Sequence, residues 1–443
     1  MRSRPGREKT DWEGGVSSSL YSFRSGAGAG SRSLKPNLNQ KLSVCIHMKF
    51  GITVLAAIAI FAFGAAKWAR PDVNVPIDRL ITTAEKRLKS EPKNAEVRYF
   101  LGRLYSLSFA SSTKTVEIYG SKSDLPHFPA WQSFRVSRES QGKITPAELK
   151  ALSLSLDNYW LASQTDKSSS LYLFGYAWML HQAAPYATSL QCKSAKLPKV
   201  KSANSFTAEA LNLYRKVYQM SKSKDLGDNG STMDLADSYL SREAGKLILE
   251  LAAKPGLGGL KSGEKQDIEA TIEAIDKRPK AITPIIFPVD GGGFDGLVNE
   301  NASAKFDLNG FNDGSKWPWV TRKAGILCWD AENSGKITSG RQLFGNSTFW
   351  MFFKDGYAAL ASLDDDQNSW LEGKELKGIS VWIDRNENAV SDLGEVVPAA
   401  SFGVSRINTS VGDTFNSMPV QLNGIHLRNG QNLPTYDWTP MSK

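Results

Sequence analysis

The chain has 443 residues, too many for one ordinary domain, and its 41% hydrophobic content is enough to bury cores in two or three domains. The formal net charge of +9 is uneven, because residues 281–400 hold 17 Asp/Glu against 10 Lys/Arg, a local net of −7. An acidic module on a basic chain favours a cation site, and no dense basic stripe with interleaved aromatics supports nucleic-acid binding.

The sequence between residues 1 and 66 is typical of a targeting region. Residues 1–47 are rich in Arg, Ser and Gly and predict disorder, or an extension upstream of a true start at Met48. Residues 48–66 have a short basic start, an apolar core and a small-residue end, which is the pattern of a signal peptide cleaved after Ala66. The alternative is an uncleaved membrane anchor through residues 51–66. We therefore expect an exported protein of the periplasm, the cell envelope or the extracellular medium.

Residues 71–280 are predicted to form an all-α domain, interrupted by an insertion at 111–143 that is rich in Ser, Pro and Gly. Apolar side chains recur at helical spacing from Ile77, and Pro92 ends the first helix. Later helices are predicted over 208–220, 233–253 and 264–277.

Part of this helical pattern resembles a known repeat. The segment 84–92, followed by Leu101, Gly102 and a tyrosine three residues later, is similar to a tetratricopeptide repeat junction. Gly102 would let its helix pack closely on the preceding one, whereas Arg87 stands where the family prefers a small residue. The resemblance implies a concave face that docks a protein or peptide partner. An irregular helical bundle is the alternative.

Cysteine and histidine usage limits the chemistry of the chain. Cys45, Cys192 and Cys328 are too few for a disulfide framework, although a bridge between Cys192 and Cys328 is left open. The four histidines are isolated, so local spacing assembles no zinc site. No nucleophile elbow or phosphate-binding glycine loop is present, and we expect a protein that is not an enzyme.

The strongest motif lies at residues 364–375, where oxygen-bearing side chains occupy positions 1, 3, 5, 9 and 12 of a twelve-residue loop. This is the ligand spacing of an EF-hand calcium loop. Leu371 at position 8 would pin the loop to the core, and Ser369 stands where the turn prefers glycine. The candidate ligands are the side chains of Asp364, Asp366, Asn368, Glu372 and Glu375 and the backbone carbonyl of Trp370.

Two further segments repeat this pattern less completely. Residues 384–395 keep the ligand spacing but have Ala389 at the glycine position and Ser391 at position 8. The segment that begins at Asp330 keeps its glycine, yet Arg341 and Gln342 replace the closing acid, so we expect a structural role for it. The candidate ligands are Asp384, Asn386, Asn388, Val390 through its carbonyl, Asp392 and Glu395 in the one segment, and Asp330, Glu332 and Ser334 in the other.

The order of these motifs, with Leu343-Phe344-Gly345 after the Asp330 segment and Val381-Trp382 before Asp384, is similar to a family. It resembles the bacterial secreted calcium-binding modules that accompany repeats-in-toxin proteins, over roughly residues 282–408. The resemblance implies Ca²⁺ as the cofactor. The glycine-rich arrays of the toxins are absent, so toxin activity is not implied.

Together these patterns predict an all-α, tetratricopeptide-like region followed by a smaller α+β module, residues 281–443, with EF-hand-like calcium loops. The predicted function is an exported calcium-binding protein whose helical region docks a protein partner. One alternative is a structural envelope scaffold in which the loops are relics. Another is a metal-dependent hydrolase. Because the turn glycines are missing, we expect a weak calcium affinity, on the order of 10⁻⁴ to 10⁻³ M.

Overall fold

The helices and strands below come from a computed structural model. It describes residues 73–111, 116–118, 143–227, 239–277, 282–310 and 314–443. The predictions for 1–47 and 48–66, and those for most of the 111–143 insertion, fall outside these ranges. Within them, no helix combines the length and the apolar character needed to cross a membrane.

The first half of the described chain is helical, as the sequence pattern predicts. Each helix packs against the next in chain order. Polar caps fix some of the starts: Thr145 and Glu148 form a reciprocal capping box, and the Ser169 hydroxyl accepts the N–H of Tyr172. The helices are α1 (Ile77–Ser90), α2 (Ala95–Ser111), α3 (Pro146–Thr165), α4 (Ser170–Ala183), α5 (Ala203–Gly227), α6 (Leu240–Ala252) and α7 (Glu264–Asp276).

Gly102 makes a close approach, but to a different helix from the one expected. A Cβ atom at Gly102 would lie 2.7 Å from the ring of Tyr159 on α3, and one at Gly175 on α4 would clash with the same ring. Tyr159 is fully buried between the two glycines. The bulk that Gly102 accommodates is therefore a tyrosine from the following helix.

Three other expectations for this region have clear outcomes. The helix predicted at 208–220 is confirmed and is longer, and the aromatic residues Tyr214 and Tyr218 on its predicted face are buried. The helix predicted at 264–277 is also confirmed. The bridge left open between Cys192 and Cys328 is absent, since both cysteines are free.

The second half is built on an antiparallel sheet. Its strand order is β7-β10-β12-β13-β3-β6-β8-β9, with β11 paired to β12. The strands are β3 (Ile285–Pro288), β6 (Ala324–Trp329), β7 (Trp370–Glu372), β8 (Ile379–Trp382), β9 (Val396–Pro398), β10 (Val404–Asn408), β11 (Asp413–Phe415), β12 (Met418–Leu427) and β13 (Asn432–Asp437). Short helices α8 (Gly356–Ala361) and α9 (Ala399–Phe402) lie between them, and two-stranded ribbons pair β1 (Val73–Val75) with β2 (Val116–Ile118) and β4 (Val298–Ala304) with β5 (Trp317–Val320).

An aromatic segment joins the helical region to the sheet region. Phe349, Trp350 and Phe352 are buried and have positive φ angles of 54°, 56° and 56°, which side chains larger than glycine rarely adopt. The buried Arg103 of α2 donates from Nε to the carbonyl of Trp350 at 2.5 Å and stacks over Phe352 at 4.7 Å. The guanidinium of Arg341 stacks on the ring of Trp350, 4.1 Å from the ring centre. The described residues from 73 to 443 form one compact unit with a helical part and an antiparallel sheet part.

The coarse expectation of helices followed by a module containing a sheet is therefore confirmed. The boundaries at 71–280 and 281–443 stay a prediction.

Candidate metal centre

The three predicted loops are all positioned by the sheet region. The first loop (364–375) follows α8 and runs into β7, the second loop (384–395) follows β8, and the third loop (330–342) follows β6. Strands β6 and β8 are neighbours, with Ile326 paired to Trp382, so the second and third loops leave adjacent strands. The first loop lies where α1 packs against the sheet region, as its contacts below show.

All three loops have the same backbone conformation at positions 4 and 6, counted from the leading aspartate. Each of these residues is in the left-handed region, with φ between 52° and 69°. Only the third loop has a glycine at position 6, so the expected steric penalty applies to Ser369 in the first loop. The residues are Gln367 and Ser369 in the first loop, Glu387 and Ala389 in the second, and Asn333 and Gly335 in the third.

Hydrogen bonds from the backbone to the side chains shape the first loop. Asp364 accepts the N–H of Asn368 at 3.2 Å on Oδ1 and that of Ser369 at 2.8 Å on Oδ2. Asp366 accepts the N–H of Asn368 at 3.1 Å, and Asn368 accepts that of Trp370 at 2.7 Å. These alternating bonds turn the odd-numbered side chains toward the inside of the loop, where an oxygen-bound cation would sit.

Glu375 closes the first loop. Its Oε1 accepts the N–H of Asp365 at 2.8 Å, and its Oε2 accepts that of Glu372 at 3.2 Å, so the carboxylate spans both ends of the loop. One oxygen from each of Asp364, Asp366 and Glu375 lies within 4.8 Å of the others. In the part of the chain that the structure describes, no other group of three Asp, Glu, His or Cys side chains is this close.

Burial gives this trio its electrostatic character. Asp364 and Glu375 are buried, whereas Asp366 is exposed. Desolvation by burial raises the pKa of Asp364, and the nearby Glu375 raises it further, although N–H donors from the loop oppose the shift. A divalent cation beside Asp364 would offset the cost of desolvating its carboxylate.

The second loop repeats the hydrogen-bond pattern of the first with fewer carboxylates. Asp384 accepts the N–H groups of positions 5 and 6, and Glu395 accepts those of positions 2 and 9, as in the first loop. One oxygen of Asp384 also accepts the indole N–H of Trp319 at 2.7 Å. The pKa of Asp392 is lowered by the side-chain amides of Asn386 and Asn388, which both donate to it. The acidic residues of this loop are not drawn together as closely as the first trio.

In the third loop, donors from the loop itself bond to the leading aspartate, and no acid closes the turn. Asp330 accepts the N–H and hydroxyl of Ser334 at 2.9 Å each and the N–H of Gly335 at 2.8 Å. Gln342 accepts the N–H of Thr338 at 2.9 Å, a contact like the one Glu375 makes with Glu372 in the first loop. A neutral amide thus stands in for the acid, in keeping with the expected structural role.

The side chain of Arg341 contacts residues outside the third loop. Its guanidinium donates to the carbonyl of Gly310 and stacks on Trp350, and burial lowers its pKa to about 9 while Asp307 opposes the shift. It therefore contributes to the aromatic junction between helices and sheet.

Ser391 is a polar residue at position 8 of the second loop, where the first and third loops have apolar residues. It connects the second loop to the third. Its hydroxyl accepts the N–H of Ile337 at 2.8 Å and contacts the Ile337 carbonyl at 3.2 Å. Ile337 is position 8 of the third loop. The equivalent Leu371 of the first loop is fully buried and pairs with Ile407 of β10. Position 8 thus anchors every loop, twice by apolar burial and once by a hydroxyl.

The remaining candidate ligands are less constrained. Glu372 and Glu332 are exposed, and Val390 is 55% exposed. The Trp370 ring lies under the guanidinium of Arg406 at 4.1 Å, which fixes the residue whose carbonyl was predicted to bind the cation.

Sequence reasoning missed the contacts that the helical region makes with the first loop. Arg79 of α1 donates from Nε to Asp365 at 2.9 Å, Thr83 donates to the same carboxylate at 3.1 Å, and Lys86 donates to the Asp365 carbonyl at 2.8 Å. Asp365 is position 2 of the loop, which the EF-hand pattern leaves unassigned. No local signal marks these residues, because they lie about 280 positions away in the sequence.

Comparison with known proteins finds similarity in the region that holds the three loops. Residues 285–429, which include all three loops, match the SPM domain family. The iron-regulated protein FrpA of Neisseria meningitidis serogroup C is 28% identical over 136 residues, which are 29% of this chain and 12% of FrpA. The chain therefore spans about an eighth of the length of this relative, and the similarity concerns one region.

Proposed function

We propose that the protein binds Ca²⁺ through the first loop, with Asp364, Asp366 and Glu375 as the charged ligands. The observation that carries this proposal is the convergence of the three carboxylates to within 4.8 Å inside an EF-hand-like turn. The second loop is proposed as a weaker site, because Asn386 stands where the first loop has Asp366 and because Trp319 shares an oxygen of Asp384.

The ligand chemistry favours calcium over other metals. The charged donors of the trio are carboxylate oxygens, which suit a hard cation, whereas zinc favours nitrogen and sulfur. Mg²⁺ keeps several waters in a strict octahedron, while Ca²⁺ accepts six to eight oxygens in flexible geometry. A loop offering carboxylates, an amide and carbonyls suits the larger ion. The strain at Ser369 supports the weak affinity expected, on the order of 10⁻⁴ to 10⁻³ M.

Export and partner binding belong to the same proposal. The segment 48–66 has the pattern of a signal peptide, and a calcium site of millimolar affinity would fill outside the cytoplasm. The consecutive packing of α1 to α7 supports a repeat-like helical region that docks a protein partner. The likeness to FrpA adds only that a related region occurs in a protein regulated by iron.

Calorimetry on the full chain tests the proposal. After chelation and dialysis, titration with Ca²⁺ should release heat, and Glu375→Gln should remove the tighter binding event. Glu375→Gln combined with Glu395→Gln should remove both events. The scaffold alternative predicts no heat and no change in melting temperature at millimolar Ca²⁺, and that outcome would defeat calcium binding.

Thermal unfolding gives a second readout. At a Ca²⁺ concentration of ten times the Kd, one site stabilises the folded state by about 1.4 kcal/mol. The melting temperature of the parent should rise with Ca²⁺, and that of the double variant should not.

A further inference from the structure

We propose that α1 is part of the cation site: Arg79, Thr83 and Lys86 position the first loop, so that cation binding and the docking of α1 strengthen each other. The inference rests on the proposed calcium binding and adds a regulatory element to it. It places residues of the helical region, outside the stretch that matches the SPM domain, in control of a site inside that stretch.

Arg79 ties the two ends of the loop together. Its Nη2 donates to the carbonyl of Leu363 at 2.6 Å, one residue before the loop, and reaches the carbonyl of Glu375 at 3.5 Å, the last residue of the loop. Its Nε donates to Asp365 at 2.9 Å. One planar guanidinium therefore fixes three points of the turn, which the flexible ammonium of a lysine would not do.

Asp365 transmits this restraint to the closing acid. Its side chain is held by Arg79 and Thr83 and its carbonyl by Lys86, while its N–H donates to Oε1 of Glu375 at 2.8 Å. Bidentate closure by the position 12 glutamate is the most demanding part of an EF-hand-like site. Holding Asp365 therefore holds the Glu375 carboxylate in place before the cation arrives, and pre-organised ligands bind more tightly.

The direction in which Ca²⁺ affinity changes when a basic side chain of α1 is removed distinguishes a positioning role from a purely electrostatic one. Arg79 and Lys86 are cations close to a cation site, so charge alone would make their removal tighten Ca²⁺ binding. Positioning predicts the reverse, because the loop ends and Glu375 would lose their restraint. Linkage is reciprocal: if α1 docking raises the Ca²⁺ affinity by some factor, Ca²⁺ must favour α1 docking by the same factor.

The test uses the full chain carrying Glu395→Gln, so that calcium calorimetry reports the first loop. In this parent we expect Arg79→Ala to weaken Ca²⁺ binding about tenfold, Thr83→Val about threefold, and Arg79→Lys by an intermediate factor. Arg87→Ala is the matched control on the same helix, because Arg87 pairs with Glu91 and makes no bond to the loop. It should change the affinity less than about twofold.

Hydrogen exchange supplies a readout that general destabilisation would not reproduce. Ca²⁺ should slow amide exchange in α1 in the parent and in Arg87→Ala, and should have little effect there in Arg79→Ala. Thr83→Val removes a single hydroxyl and keeps the shape of the side chain, so it keeps the test valid if Arg79→Ala fails to fold.

The outcomes separate the two proposals. If the Glu395→Gln parent binds no Ca²⁺, both the calcium function and this inference fail. If the parent binds Ca²⁺ while Arg79→Ala and Thr83→Val bind as tightly as Arg87→Ala, or more tightly, only the inference is overturned.

Discussion

The first and third loops have the same backbone conformation but differ in the side chain that closes the turn. In both, the aspartate at position 1 accepts the N–H groups of positions 5 and 6, and positions 4 and 6 are left-handed. The first ends in Glu375, which bonds both ends of the turn, whereas the third has Gln342, with Arg341 turned toward Trp350. Local hydrogen bonds to one aspartate thus build the turn, so its shape alone does not indicate a metal. The proposed Ca²⁺ site depends instead on the closing carboxylate of Glu375.

The largest expected change in stability tests whether Asp330, the leading aspartate of the third loop, has a structural role. Asp330→Ala should lower the free energy of unfolding by about 3 kcal/mol, because three donors lose a buried acceptor. The loss should be the same in Ca²⁺ and in chelator, as measured by urea unfolding. Asp364→Ala is the counterpart in the first loop and should also abolish the stabilisation that Ca²⁺ gives. A calcium-dependent loss in Asp330→Ala would contradict the distinction between the loops.

A smaller effect should follow from restoring the acid to the third loop. Gln342→Glu puts a carboxylate on the side chain that already accepts the N–H of Thr338, in the loop that carries Asp330, Glu332 and Ser334. We expect a new calcium site with a Kd of about 10⁻³ M, visible as one additional binding event in calorimetry. It should add about 1.4 kcal/mol of stability at ten times that concentration. Gln342→Ala is the control. If Gln342→Glu adds no site, the closing acid is not the deciding difference.

The smallest expected effect concerns the residue at position 6. Ser369→Gly should stabilise the protein by about 1 kcal/mol, because glycine relieves the left-handed strain at φ 68°. Gly335→Ala in the third loop should destabilise it by a similar amount, since a Cβ there meets no other atom within 4 Å and only the backbone is affected. Thermal unfolding in chelator measures both. If both substitutions stabilised the protein, or both destabilised it, position 6 would not be equivalent in the two loops.

The parts of the molecule that depend on local spacing could be predicted from the sequence. The loops follow from Asp, Asn and Glu at fixed intervals, and the helices from apolar periodicity, because both patterns are set within about a dozen residues. The strain at Ser369 was also expected, since position 6 requires a left-handed residue.

What the sequence could not predict depends on contacts between distant residues. The order of the strands in the sheet depends on non-local pairing. The bulk against Gly102 comes from Tyr159 of α3, whereas the repeat pattern indicates only the preceding helix. The local pattern shows only a polar residue at Ser391, and the contact with Ile337, 54 residues earlier, depends on the fold. Arg79 reaches Asp365 across 286 residues, and no motif connects them.

The junction at Trp350 has a consequence for how this region can be excised or transplanted. The SPM domain match begins at residue 285, yet Trp350 gives its carbonyl to Arg103, and Phe353 packs on Phe100 with ring centres 4.8 Å apart. A fragment cut at 285 would lose both α2 partners and present an aromatic surface to water, a common cause of insolubility. A boundary placed before α1 keeps the interface covered. In a host protein with different flanking sequence, some other segment must cover these rings.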